Sequence, residues 1–177
     1  MIKFRDLTAS EIDVRIGQKN DKGIALLLYK DARCDMAILD ETVGAENWER
    51  EHYECKGNLF CKVGINTNFD KEGNLPNWVY KSDCGTESNT EKEKGEASDS
   101  FKRACVNWGI GRELYTSPFI WIYPNDSKGE PNYELSGNKC FDNFVVEKII
   151  IEKKRITALA IKNATLHKRV FVWQESK

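Results

Sequence analysis

The stretch from Gly95 to Gly109 constrains the fold more than any other. At about 100° per residue Ala97, Phe101, Ala104, Cys105 and Trp108 gather on one side of a helix, while Glu96, Asp99, Lys102, Arg103 and Asn107 take the other. The spacing predicts an amphipathic helix carrying two adjacent cations, Lys102 and Arg103. Gly109 stops it, because glycine readily takes the left-handed conformation that a helix end requires. Taken by itself, such a helix could carry nothing more than a solvated charged side, with Asp99 meeting Lys102 or Arg103 for about 0.2–0.5 kcal/mol.

What precedes this helix reads as three strands. Glu49–Cys55 is followed by a Gly57-Asn58 turn and then by Leu59–Thr67, where Leu59, Cys61, Val63 and Ile65 alternate with Phe60, Lys62, Gly64 and Asn66. Trp78–Cys84 makes a third strand with Trp78, Tyr80 and Cys84 on one face, and Gly85–Glu93 is a polar loop leading into the helix. Further upstream, Thr8 or Ser10 caps an expected short helix running to Ile16 and ended by Gly17. Ile24–Tyr29 is a buried segment whose state periodicity leaves open, and Asp31 opens a second helix with Ala32, Met36, Leu39 and Val43 inward, closed by Gly44. Downstream lie an extended aromatic segment, Pro118–Tyr123, and a loop-rich tract from Pro124 to Lys139. Three short strands follow, Phe144–Ile151, Arg155–Ile161 and Arg169–Trp173, with Lys153-Lys154 at the first turn. The expected class is α+β: a β-β-β-α core with an antiparallel sheet packed on a long amphipathic helix, N-terminal helices and C-terminal strands. The 177 residues suit a single domain.

Charge is spread unevenly under a net value of −1: residues 1–60 and 61–145 each carry −3, and residues 146–177 carry +5. A phosphate-binding surface must therefore be local, and the C-terminal segment forms a basic face or arm. Six cysteines stand without a Cys-x-x-Cys pair, and His52 and His167 are the two histidines, so buried reduced thiols are expected rather than zinc or disulfides. No run approaches the ~18–20 apolar residues of a membrane span, and Met1–Asp6 leads into no signal-peptide apolar segment, so a cytoplasmic protein is expected.

Nothing in the chain calls for catalysis. No phosphate loop of the Gly-x-x-x-x-Gly-Lys-[Ser/Thr] form occurs, and Gly109-Ile110-Gly111 follows a helix and lacks the third glycine of a dinucleotide fingerprint. Asp83-Cys84-Gly85-Thr86 is similar to the Asp-Thr-Gly motif of aspartic proteases, but the second copy which that chemistry needs is missing. Asp83, Glu87, Glu96 and Asp99 could in principle hold magnesium for a nuclease, without a characteristic spacing. Single-strand binding, by contrast, needs cations for phosphates and aromatic walls for bases. Lys102 and Arg103, supported by Lys92, Lys94 and Arg112, provide the first, and Trp78, Tyr80, Trp108 and Tyr115 could provide the second, although Trp108 on the apolar side of the helix reads first as core.

The order Lys94-Gly95-x-Ala97-Ser98-Asp99-x-Phe101-Lys102-Arg103-Ala104, closing on Trp108-Gly109-Ile110-Gly111-Arg112, resembles the signature helix of the single-strand annealing proteins of the Rad-fifty-two-like superfamily, including phage proteins of the Sak type. Asp31-Ala32-Arg33, Leu39–Trp48 and Trp78–Thr86 extend the likeness, so that it covers residues 24–123, with residues 144–177 as an additional C-terminal strand segment. The resemblance implies a ring-forming protomer that binds single-stranded DNA, and duplex DNA weakly, and anneals complementary strands in double-strand break repair. It would do so without a nucleotide cofactor or metal, in a bacteriophage or prophage setting, with a phage exonuclease or a host single-strand-binding protein as possible partners. By position, Lys102 and Arg103 match the basic pair of the family's inner DNA site. Arg33, or Cys34 beside it, falls near that site's other arginine, and Val106 stands where eukaryotic members place a further arginine. Lys94, Lys92, Lys62, Lys81 and Arg112 complete the expected DNA-binding set. The apolar runs Phe119–Ile122 and Phe144–Val146 provide sticky surface for a homo-oligomer. Two other classes stay open: a nucleic-acid-binding module that never anneals, and a metal-dependent nuclease.

Overall fold

The computed structural model describes residues 2–71, 73–86 and 92–176, with only the backbone of Lys92. Among them, nine strands and two α-helices run in the order β1 (Asp13–Asn20), β2 (Gly23–Tyr29), α1 (Ala32–Val43), β3 (Trp48–Cys55), β4 (Asn58–Asn66), β5 (Trp78–Cys84), α2 (Lys92–Trp108), β6 (Ile120–Ile122), β7 (Phe144–Glu152), β8 (Arg155–Asn163) and β9 (Lys168–Gln174). They fall into two compact units, one formed by residues up to Arg5 with Asp31–Arg112, the other by Asp6–Lys30 with Glu113–Lys177. No helix among the described residues is long and apolar enough to cross a membrane.

The first unit is an antiparallel three-stranded sheet, ordered β3-β4-β5, covered on one face by α2. Cys61, Val63 and Ile65 point from β4 to α2 and Phe101, Ala104 and Cys105 point back, all of them fully buried. The ring of Phe101 stacks against Trp48 at a centroid distance of 6.1 Å. Lys56 and Gly57, at φ 53° and 74°, form the hairpin turn, and Asn58 already pairs with Cys55. The turn therefore lies one residue earlier than Gly57-Asn58, because a tight two-residue hairpin needs positive φ at both central positions, with glycine favoured at the second. α1 is capped by Asp31, whose side chain accepts from the Arg33 N–H, and ends at Gly44 with φ 85°. It buries Ile38, Leu39 and Val43.

At Gly85 the end of β5 meets α2 backbone to backbone. A Cβ there would lie 2.1 Å from the Glu96 carbonyl oxygen and 2.9 Å from the Ser100 nitrogen. The Gly85 N–H donates to the Leu59 carbonyl at 2.9 Å, and the Leu59 N–H donates to Glu96 Oε1 at 2.9 Å, which ties both strands to the helix. Gly85→Ala must push α2 off the sheet, an overpacking that costs about 1–3 kcal/mol or more. Urea denaturation should show the midpoint falling at unchanged slope; a wild-type midpoint would mean that the helix docks differently.

The second unit is built on a six-stranded antiparallel sheet ordered β6-β2-β1-β7-β8-β9, which joins strands from both ends of the chain. The three C-terminal strands run as the sequence predicts. The N-terminal helix ending at Ile16 does not form. A single 3-10 turn, Ala9–Glu11, in which the Thr8 N–H donates to Glu11 Oε2 at 2.8 Å, leads straight into β1. Half-buried Val14 and Ile16 alternate with exposed Asp13 and Arg15, so period two outweighs the capping residues. Gly17 sits beside a bulge within β1, where a Cβ would meet Leu27 Cδ1 at 2.6 Å. The runs expected to be sticky are mostly core: Ile120, Ile122, Phe144 and Val146 are buried, while Phe119 and Val145 between or beside them are exposed.

Of the six cysteines, Cys61 and Cys105 are buried as expected, Cys34, Cys84 and Cys140 are half-buried, and Cys55 is exposed. Burial pushes the Cys61 thiol up to about 11, which leaves it protonated and inert at neutral pH.

Candidate nucleic-acid interface

The two adjacent cations of α2, Lys102 and Arg103, are half-buried and lie off its apolar side. Arg103 Nε lies 3.3 Å from Asp83 Oδ1, at the end of β5. Asp83 also accepts from the Cys84 N–H at 2.9 Å and from Asn107 Nδ2 at 3.3 Å, so the carboxylate that meets the guanidinium is itself fixed. Asp99, one turn before Arg103, accepts the Thr86 N–H at 3.1 Å. Asp83 is thus a partner that the helical spacing of Asp99 could not foretell. Lys102 makes no hydrogen bond or ion pair among the described residues.

Lys102 nevertheless acts on the start of α1. Asp31 accepts the Arg33 N–H at 2.7 Å and the Arg33 side chain at 3.0 and 3.1 Å. These bonds hold the Asp31 carboxyl down at about 2, the Arg33 side chain first, with the Lys102 charge lowering it further. Asp31 is therefore held by Arg33 through hydrogen bonds, while Lys102 acts on it through its charge alone. The Arg33 side chain is 84% exposed, while neighbouring Cys34 is half-buried. Lys94 is exposed within the early turns of α2, and Val106 is half-buried one turn beyond the cationic pair.

The other expected cations lie elsewhere. Lys81 donates from Nζ to the Asn107 carbonyl at 2.8 Å and stands 4.7 Å above the Trp108 ring. Arg112 donates to the Val106 carbonyl, at 3.0 Å from Nη2, and to the Asn107 carbonyl at 3.1 Å. Both cations thus satisfy the open carbonyls and the negative end of α2. Lys62 faces away from α2, ion-paired with Glu51 at 2.6 Å and 5.1 Å from the Tyr80 ring centre. The Lys92 side chain and Glu87 lie outside the described residues.

Lys81, Trp108 and Arg112 also line a groove of about 750 Å³ together with Lys3, Phe69 and Lys71. The Trp108 indole N–H donates to the Val63 carbonyl at 3.0 Å, which fixes the ring in the groove wall, half-buried rather than fully in the core. Lys3, Phe69 and Lys71 were missed by the sequence reading. The signal for them was the asparagine-rich β4–β5 connection, where Asn66 Oδ1 accepts from the Asn68 and Asn77 N–H groups and orders the loop. Trp78 and Tyr80 stack on each other at 6.4 Å on the sheet face opposite α2, away from Lys102 and Arg103.

The carboxylates weighed for magnesium are engaged separately, Asp83 by Arg103, Glu96 by the Leu59 N–H and Asp99 by the Thr86 N–H. Among the described residues no group of three or more His, Cys, Asp or Glu side chains could hold a metal ion.

Comparison with known proteins gives two matches. Residues 4–133 match the Rad52/22 family of double-strand break repair proteins. A stretch of 38 residues is 53% identical to the single-stranded DNA-binding protein DdrA of Deinococcus deserti, covering 22% of this chain and 19% of that protein. No solved structure matches.

Proposed function

Because this chain belongs to the Rad52/22 family of double-strand break repair proteins, we propose that it binds single-stranded DNA along the outward side of α2 and pairs complementary strands without nucleotide. The observation that carries this reading is the Lys102–Arg103 pair, set side by side on a helix whose orientation is fixed by Gly85 and Phe101. Cations placed in this way meet successive phosphates and leave the bases free to test a second strand. Arg33, whose partner Asp31 also feels the Lys102 charge, extends the track, and the groove with Lys81, Trp108 and Arg112 offers it a further wall. The name of the Deinococcus relative agrees with single-strand binding. The working form in this reading is a closed oligomer of single-domain protomers.

Two complementary labelled oligonucleotides should therefore pair faster with protein than without it, in EDTA and with no nucleotide added. Binding without acceleration at any protein-to-DNA ratio would remove annealing and leave a binding module. Cutting that depends on magnesium would replace the reading with a nuclease.

A further inference from the structure

Carboxylates hold Arg33 and Arg103 in different ways. Asp31 closes on Arg33 as a fork: Oδ1 accepts the Arg33 N–H at 2.7 Å and Nε at 3.0 Å, and Oδ2 accepts Nη2 at 3.1 Å. An edge of the guanidinium that could grip a phosphate in two places is thereby taken. Asp83 meets Arg103 through Nε at 3.3 Å, and the same carboxylate is fixed by the Cys84 N–H and by Asn107 Nδ2. A guanidinium carries five donors, so Arg103 can reach a phosphate with Asp83 still in place.

The Arg33–Asp31 pair is open to solvent, with side chains 84% and 47% exposed, and α1 packs on α2, the helix that carries Lys102. Ion pairs exposed to this degree are weak, so an arriving anion can replace the carboxylate. A proton cannot, because Asp31, held down at about 2 chiefly by the Arg33 side chain, stays ionised throughout the neutral range. Nor does α1 need a charge at its cap, since asparagine caps a helix as well as aspartate does.

We propose that Asp31 stands in for phosphate: it positions Arg33 while no strand is bound and yields it to the backbone of an arriving strand, so that each copy holds DNA less tightly than its cations alone would. This deepens the single-strand reading above and rests on it. The exchange marks the salt dependence. A phosphate that takes Arg33 sheds its counterion, but the carboxylate left behind gathers a cation from solution, so Arg33 adds little to the salt slope. A looser hold suits annealing, because a strand must let go and shift before its complement is in register.

Fluorescence anisotropy of a short labelled oligothymidine, titrated with the full chain across a salt series, tests this. Asp31→Asn keeps the helix cap and removes the charge, so its circular-dichroism melting curve should stay close to wild type. It should bind about two- to fivefold more tightly for each copy the strand touches, let go more slowly by a similar factor, and steepen the salt slope by about 0.7 per copy. In an Arg33→Ala background the same substitution should change affinity and slope little, since the double-mutant cycle isolates the coupling between the two residues. The inference is overturned if Asp31→Asn binds like wild type or more weakly. It is overturned equally if the gain survives in the Arg33→Ala background, which would make Asp31 a general charge beside the track. Wild type that binds no single strand at low salt removes the single-strand reading itself, whereas wild-type binding with no response to Asp31→Asn removes only the role of Asp31.

Discussion

The Phe101→Ala variant is expected to lose about 3–5 kcal/mol of folding free energy, the usual cost of a large cavity in a packed core. Phe101 is fully buried at the middle of the apolar side of α2. It stacks on Trp48 at 6.1 Å, and the Arg50 guanidinium lies 4.8 Å from its ring centre, so truncation removes both a ring contact and a cation–π partner. The strands beneath cannot close the gap, because β4 is hydrogen-bonded to β3 and β5 along its length. Domains commonly hold only about 5–15 kcal/mol of stability. The variant should therefore melt far earlier, and DNA binding should disappear with the fold rather than before it. A loss under about 1 kcal/mol in chemical denaturation would show that α2 does not dock through this ring.

That α2 was legible follows from its unbroken 3.6-residue apolar period, and β4 and the C-terminal strands were legible from alternation or short β-branched runs between turns. The N-terminal segment was misread because Thr8, Glu11 and Asp13 are helix-start residues whose signal competes with the alternation of Val14 and Ile16. The six-stranded sheet was not legible at all. β1 meets β7 through Asp13 and Val145, and local pattern says nothing about partners so far apart in the chain. The same limit applies to the site. The Lys102–Arg103 pair stands in one turn of sequence, but Asp83, which holds Arg103, and Asp31, which feels Lys102, come from other elements. Exposed apolar surface was misjudged for a related reason. A run such as Phe119–Ile122 alternates between core and solvent once it lies extended, so its total hydropathy overstates what it shows to a partner.

Replacing Lys102 and Arg103 together by alanine should have the second large effect, this time on binding. If each contacts one phosphate, their loss reduces the salt slope for single strands by about 0.7 per contact, and weakens affinity roughly 25-fold near 0.1 M salt. The loss should be uniform across sequences, because phosphate contacts carry no base information. Folding should change little. The Arg103–Asp83 pair is partly exposed, with side chains 42% and 26% accessible, and such pairs contribute about 0–1 kcal/mol. Alanine also favours the helix slightly over the residues it replaces.

The decisive measurement is the dependence of single-strand affinity on salt, for wild type and for the Lys102→Ala/Arg103→Ala variant, at a temperature where both are folded. Binding through the outward side of α2 predicts a slope shallower by about 1.4 in the variant, with weaker affinity for every sequence tested. A folded variant that keeps the wild-type slope and affinity contradicts it, and would leave Lys102 and Arg103 as surface charges with the DNA track elsewhere on the protein.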